Sequence, residues 1–130
     1  MKFTLGKHER LKSRKLIEQL YLEGDSIKVF PFKMMFLKTK HTSNFPIQAG
    51  FSVPKRNFKL AVHRNRLKRL MRETYRLQKD IIYTQVDDSY VFMISYLGKE
   101  EFKFEDLYKK MEKLLRLFLE KTQKTTQNEG

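Results

Sequence analysis

Cysteine is absent from all 130 residues, which removes disulfides, thiolate nucleophiles and cysteine-bound zinc, and suits a reducing cytoplasm. No apolar run approaches the roughly 18 residues of a membrane-spanning helix, and the N-terminal MKFTLGKHERLKSRK has no apolar segment behind its charge. Neither a membrane nor export is expected. Acids are scarce, with 15 Asp+Glu against 28 Lys+Arg, leaving a formal charge of +13. There is no glycine-rich phosphate loop, no internal repeat and no metal-spaced set of ligands. His8, His41 and His63 fall on an arm, a turn and a helix, and Asp87 with Asp88 reads as a turn.

What remains is a cationic chain with enough apolar content to fold. Hydrophobic residues make up 40% and aromatics 13%, too much for a disordered basic tail. The charge is uneven: residues 1–96 hold 20 Lys+Arg and 8 Asp+Glu, whereas residues 97–130 hold 8 and 7. Such an excess calls for a polyanion. It is densest at residues 51–77, FSVPKRNFKLAVHRNRLKRLMRETYRL, where nine basic residues face one acid, Glu73. Leu67, Leu70, Met71, Thr74 and Leu77 recur at spacings of three and four, the period of a helix with one buried stripe. Asn65, Lys68, Arg69, Arg72 and Arg76 point away from that stripe. A solvated basic face is the plainer alternative, but acids for i,i+4 pairing are almost missing. The arginine forks suit phosphate oxygens and base edges.

Around this helix the chain divides readily. Residues 1–12 read as an extended arm anchored by Phe3, Leu5 and Leu11. Ser13 is an N-cap for a helix over about residues 14–22, with Leu16, Ile17, Leu20 and Tyr21 on one side and Gly24 as a left-handed stop. Residues 27–39 predict two strands split near Pro31, which cannot donate to a ladder. Phe32, Met34 and Phe36 belong mainly to a core, with at most one or two left for stacking on bases. His41 to Pro46 is a turn, and residues 47–54 a third strand with Phe51 and Val53 on one face and Ser52 on the other. A linker over 80–88 leads to the apolar run Tyr90 to Tyr96, which reads as a central strand covered on both faces. Glu105 and Asp106 open a last helix with Leu107, Met111, Leu114, Leu115 and Phe118 on its packing stripe. The polar segment 121–130 is expected to be a disordered tail behind a single domain, residues 1–120.

The run Ala61, Val62, His63, Arg64, Asn65, Arg66, Leu67, Lys68, Arg69, Leu70, Met71, Arg72, Glu73 closely resembles the Arg-Asn-Arg signature helix of bacterial ribonuclease P protein components. Gly50 to Arg56 resembles the strand that feeds it, and Glu9, Arg10 and Leu11 the arm before the first helix. The resemblance implies an α+β fold, an α-β-β-β-α-β-α sandwich with a left-handed βαβ crossover, similar to the second domain of a small-subunit ribosomal protein. General handedness rules would have given a right-handed connection. One departure is the loop Asn57 to Leu60, one residue longer than the family pattern and lacking its glycine.

The same resemblance implies function. The chain would bind the catalytic RNA subunit of ribonuclease P and the 5′ leader of precursor tRNA, assisting leader removal, with no obligate protein partner. Arg64, Asn65, Arg66, Lys68, Arg69, Arg72 and Arg76 would contact RNA, together with Lys55 and Arg56 at the strand end. Ile17, Tyr21, Met35 and Ser52 would line the leader cleft, Ile17 standing where the family has an aromatic residue. Arg64, Lys68 and Arg72 share one flank of the helix, expected to face the leader, and Arg66, Arg69 and Arg76 another, expected to face the RNA subunit. Hydrolysis would belong to the RNA and its magnesium, with no protein catalytic residue, since a self-sufficient nuclease needs converging acid/base groups or metal-holding carboxylates. The alternative is a structural ribosomal or chaperone-type RNA-binding protein with no processing role.

Overall fold

Side-chain alternation divides one antiparallel hairpin and two further strands into a core face and an open face. A computed structural model describes residues 5–41 and 45–129, with side chains through 123, so Phe3 and residues 42–44 of the 41–46 turn lie outside the described residues. The elements are a 3₁₀ turn Lys7–Glu9, α1 Arg14–Glu23, β1 Asp25–Val29, β2 Phe32–Lys38, β3 Ile47–Ser52, α2 Ala61–Arg76, α3 Asp80–Tyr83, β4 Tyr90–Tyr96 and α4 Phe104–Glu129. The sheet order is β1-β2-β4-β3. β1 and β2 form a hairpin turning at Phe30-Pro31, β2 pairs antiparallel with β4, and β3 lies parallel to β4. Parallel neighbours joined through α2 and α3 make the crossover unit of the expected α+β fold.

On the core face, Ile27, Phe32, Met34, Phe36, Ile47, Ala49, Phe92 and Ile94 meet the stripes of α2 and α4. Phe118 of α4 is the hub, with ring centroids 5.1 Å from Phe36, 5.1 Å from Tyr90 and 4.8 Å from Phe92. Truncating such a residue costs about 3–5 kcal/mol. Tyr75 of α2 is fully buried and stands edge-on to Phe51 at 5.5 Å. It belongs to the stripe in place of Leu77, which lies beyond the helix end and is exposed. Phe32, Met34 and Phe36 are all buried, so none is left for RNA.

Four further expectations change. The arm is no loose extension: the Lys7–Glu9 turn buries Glu9, Leu5 and Leu11 are covered, and Arg10 bridges Ala49 of β3. Gly24 ends α1 with φ −70°, not left-handed; a Cβ there would stand 2.3 Å from the Leu20 carbonyl oxygen and 2.9 Å from Leu20 Cδ1, so closeness to the last turn demands glycine. The 80–88 linker holds α3, because Ile82 finds a buried seat in the core. The segment from Lys121 continues α4 through Glu129. It has no proline or glycine before Gly130, elongating a formed helix needs no nucleation, and Lys121 is tied to Asp25 at 3.1 Å.

Candidate nucleic-acid interface

The open face begins under α1, whose N-cap Ser13 accepts a hydrogen bond from Leu16 N at 3.3 Å. Leu11, Leu20, Val91 and Met93 form a small second core there, with Leu16, Ile17, Met35 and Leu37 against it. Ile17 and Met35 are thus half-buried packing residues that still reach the surface, while Tyr21 is 53% exposed. Gly50 keeps the floor low, since a Cβ would come within 2.9 Å of Met93 Cε. Beyond this patch, alternation and register place Lys28, Lys33, Ser95 and Ser52 in one row across the four strands. Ser52 and Ser95 share a hydroxyl hydrogen bond of 2.8 Å. The four expected cleft residues therefore occupy one face of the molecule.

Lys28 and Lys33 are directly opposed partners in the hairpin, and like charges so placed destabilise a sheet. A polyanion lying along the row offsets that repulsion. Neither lysine, nor Ser95, was singled out from the sequence. Pairing residues outward from the Phe30-Pro31 turn would have found the lysines, because 28 and 33 are equidistant from it.

Downstream of Ser52 the chain passes Lys55 and Arg56, both exposed, into α2. Arg56, Asn57 and Lys99 line an open notch of about 420 Å³. On α2, Asn65, Arg69 and Arg72 are exposed and Lys68 is half-exposed, with no ion pair to Lys68, Arg69 or Arg72 among the described residues. The remaining cations are engaged. Arg64 Nη1 donates to the carbonyls of Phe58 and Lys59, both at 2.8 Å, so this arginine braces the 57–60 loop instead of projecting freely with Lys68 and Arg72. Arg66 Nη2 grips both carboxylate oxygens of Glu101, in the loop before α4. Arg76 pairs with Glu73, as their spacing predicts. Each acid is held below its ordinary pKa, Glu101 by the hydrogen bond from Arg66 and Glu73 by that from Arg76.

Behind this surface lies a polar cluster that sequence reasoning missed. Lys79 and Glu9 are both almost fully buried, with Lys79 Nζ 2.6 Å from Glu9 Oε2. Tyr83 donates to the same oxygen at 2.7 Å, and Gly6 N to Oε1 at 3.1 Å. Burial raises the Tyr83 phenol far above its usual range. The cluster ties the arm to the corner between α2 and α3 and so fixes the helix that carries the charge.

Chemically, this surface can bind phosphates and stack a base. No three His, Asp or Glu side chains converge among the described residues, and Asp88 is held by Lys38 at 3.2 Å. These residues do not fit a magnesium cage. No helix is long and apolar enough to cross a membrane among the described residues.

Fold and surface together define a small α+β protein that presents a polycationic helix beside an open sheet face, the make-up of a nucleic-acid binder. The family model for ribonuclease P matches residues 5–118. A ribonuclease P protein component of Chlorobium phaeobacteroides is 43% identical over 88 residues, 65% of this chain and 60% of that protein. The component of Porphyromonas gingivalis is 35% identical over 69% of this chain and 66% of its own length, so the chain spans less than two thirds of either. That of Syntrophus aciditrophicus is 32% identical over 88% of this chain and 90% of its own. Among solved structures, the RNase P protein of Staphylococcus aureus superposes with a TM-score of 0.69 at 21% identity, covering 84% of this chain and 94% of that one. The Thermotoga maritima RNase P protein gives 0.67 at 25% identity, covering 82% and 94%. This chain belongs to the ribonuclease P protein family.

Proposed function

We propose that the chain is the protein subunit of a cytoplasmic ribonuclease P, holding the catalytic RNA subunit and the 5′ leader of precursor tRNA together while the RNA hydrolyses the leader. The observation that carries this reading is a run of cations that leads from the open sheet face into the basic helix. Lys28 and Lys33 oppose each other on the hairpin, the row runs through Ser95 and Ser52, and the chain leads on through Lys55 and Arg56 to Lys68, Arg69 and Arg72 on α2. A single strand laid over Tyr21, Met35 and the serine row would meet apolar and aromatic surface for its bases and lysines for its phosphates. The outer flank of α2, with Arg66, Arg69 and Arg76, is left for the RNA subunit. Magnesium in the holoenzyme would be bound mainly by the RNA subunit; among the described residues no three His, Asp or Glu side chains group to hold a metal ion.

The test adds the chain to a bacterial ribonuclease P RNA at low magnesium and follows precursor tRNA cleavage, with binding of precursor and mature tRNA compared. The reading expects restored cleavage and tighter binding of the precursor than of the mature form. Equal affinity for both, with no stimulation, would favour a structural RNA-binding protein instead.

A further inference from the structure

Arg66, on the outer flank of α2, is gripped by an acid from another element. Glu101 comes from the loop between β4 and α4, 35 residues away, and both its carboxylate oxygens contact the same guanidinium nitrogen. The side chains are 58% and 36% exposed, so the contact sits at the surface, where the RNA subunit would approach. Arg69, three residues on and on the same flank, has no such partner among the described residues. A carboxylate offers a guanidinium the same two-oxygen edge as a phosphate. Glu101 therefore fills the place a backbone phosphate would take at Arg66.

We propose that Glu101 is a built-in competitor for the RNA subunit: it holds Arg66 in the free protein and must be displaced when a phosphate takes its position. The inference rests on the RNA-binding reading above and adds a residue that sets its strength. An arginine neutralised by its own carboxylate gathers no condensed counterion from RNA unless that carboxylate is released, and the released acid then recruits a cation of its own. The wild-type protein accordingly binds RNA as though one of its cationic contacts were missing from the salt dependence.

The experiment measures binding of the whole chain to a bacterial ribonuclease P RNA over a series of salt concentrations, for wild type, Glu101→Gln, Glu112→Gln, Arg66→Met and the Glu101→Gln/Arg66→Met double variant. Glu112 pairs with Arg116 along α4 at 3.9 Å, so its replacement makes the same charge change without touching Arg66. Glu101→Gln should bind several-fold tighter at low salt and steepen the log–log slope by about 0.7–0.9, one phosphate contact's worth. Glu112→Gln should leave the slope unchanged, and Glu101→Gln should have no effect once Arg66 is gone. If Glu101→Gln behaves like Glu112→Gln, or acts equally without Arg66, the competitor role is overturned. Weaker binding by Glu101→Gln would overturn it too, because Glu101 would then be orienting Arg66 for the RNA. Absence of salt-dependent binding by the wild type would instead bring down the RNA-binding reading itself.

Discussion

Replacing Lys79 with methionine tests whether the buried ion pair under α2 governs the stability of the whole domain. Lys79 Nζ and Glu9 Oε2 stand 2.6 Å apart with both side chains 2% exposed. At an effective dielectric constant of about 20 their attraction is about 6 kcal/mol, and desolvating each ion costs several kcal/mol. The pair therefore comes near to breaking even, but neither member survives alone. Lys79→Met fills a similar volume yet leaves the Glu9 carboxylate buried with Tyr83 and Gly6 as its remaining donors among the described residues. The expected loss is about 3–5 kcal/mol, a large fraction of the 5–15 kcal/mol or so of an ordinary domain. In urea at neutral pH, a loss of about 4 kcal/mol with an m near 2 kcal/mol/M moves the midpoint down by about 2 M. Adding Glu9→Gln should restore part of that loss, since it removes the stranded charge. A shift under about 0.5 kcal/mol for Lys79→Met, or losses that simply add in the double variant, would refute the reasoning.

Further outcomes follow from other contacts. Gly24→Ala should destabilise by about 1–3 kcal/mol, because its Cβ would press on the Leu20 carbonyl; an unchanged thermal midpoint would contradict this. Asp25, Glu73 and Glu101 are each held below their ordinary carboxyl pKa by hydrogen bonds from Lys121, Arg76 and Arg66. The unfolded chain thus takes up more protons as pH falls, so these pairs support folding fully above the ordinary values of 3.8 for Asp25 and 4.5 for the glutamates. That support is lost as pH drops through the folded pKa values. Acid unfolding of the Asp25→Asn/Glu73→Gln/Glu101→Gln variant should show a shallower pH dependence. Arg69→Met and Arg72→Met should each lower the salt slope of RNA binding by about one contact with little change in melting temperature, which a gel-shift series and a thermal melt would check.

The three- and four-residue spacing in 61–76, set against one acid, made both the α2 helix and its cationic side legible, because helical period and charge imbalance are local properties. The same holds for the two strands around Pro31 and for the apolar run of β4, whose lack of alternation announced a strand covered on both faces. Contacts between distant residues were not legible. Nothing near Glu9 in the chain signals Lys79, 70 positions on, and nothing near Arg66 signals Glu101. The helical pattern around Arg64 did not show that its guanidinium donates to the loop carbonyls of Phe58 and Lys59. Gly24 was assigned by its residue type to a left-handed cap, whereas the limit is the space left beside Leu20. By itself the sequence determined the four strands and the cores of the three longer helices, the charge and the family, since these follow from short-range pattern. Which cations stay available, which are spent on carboxylates or carbonyls, and how Lys28 and Lys33 join the surface were decided only by the tertiary structure, because a side chain's partner depends on what folding brings near it.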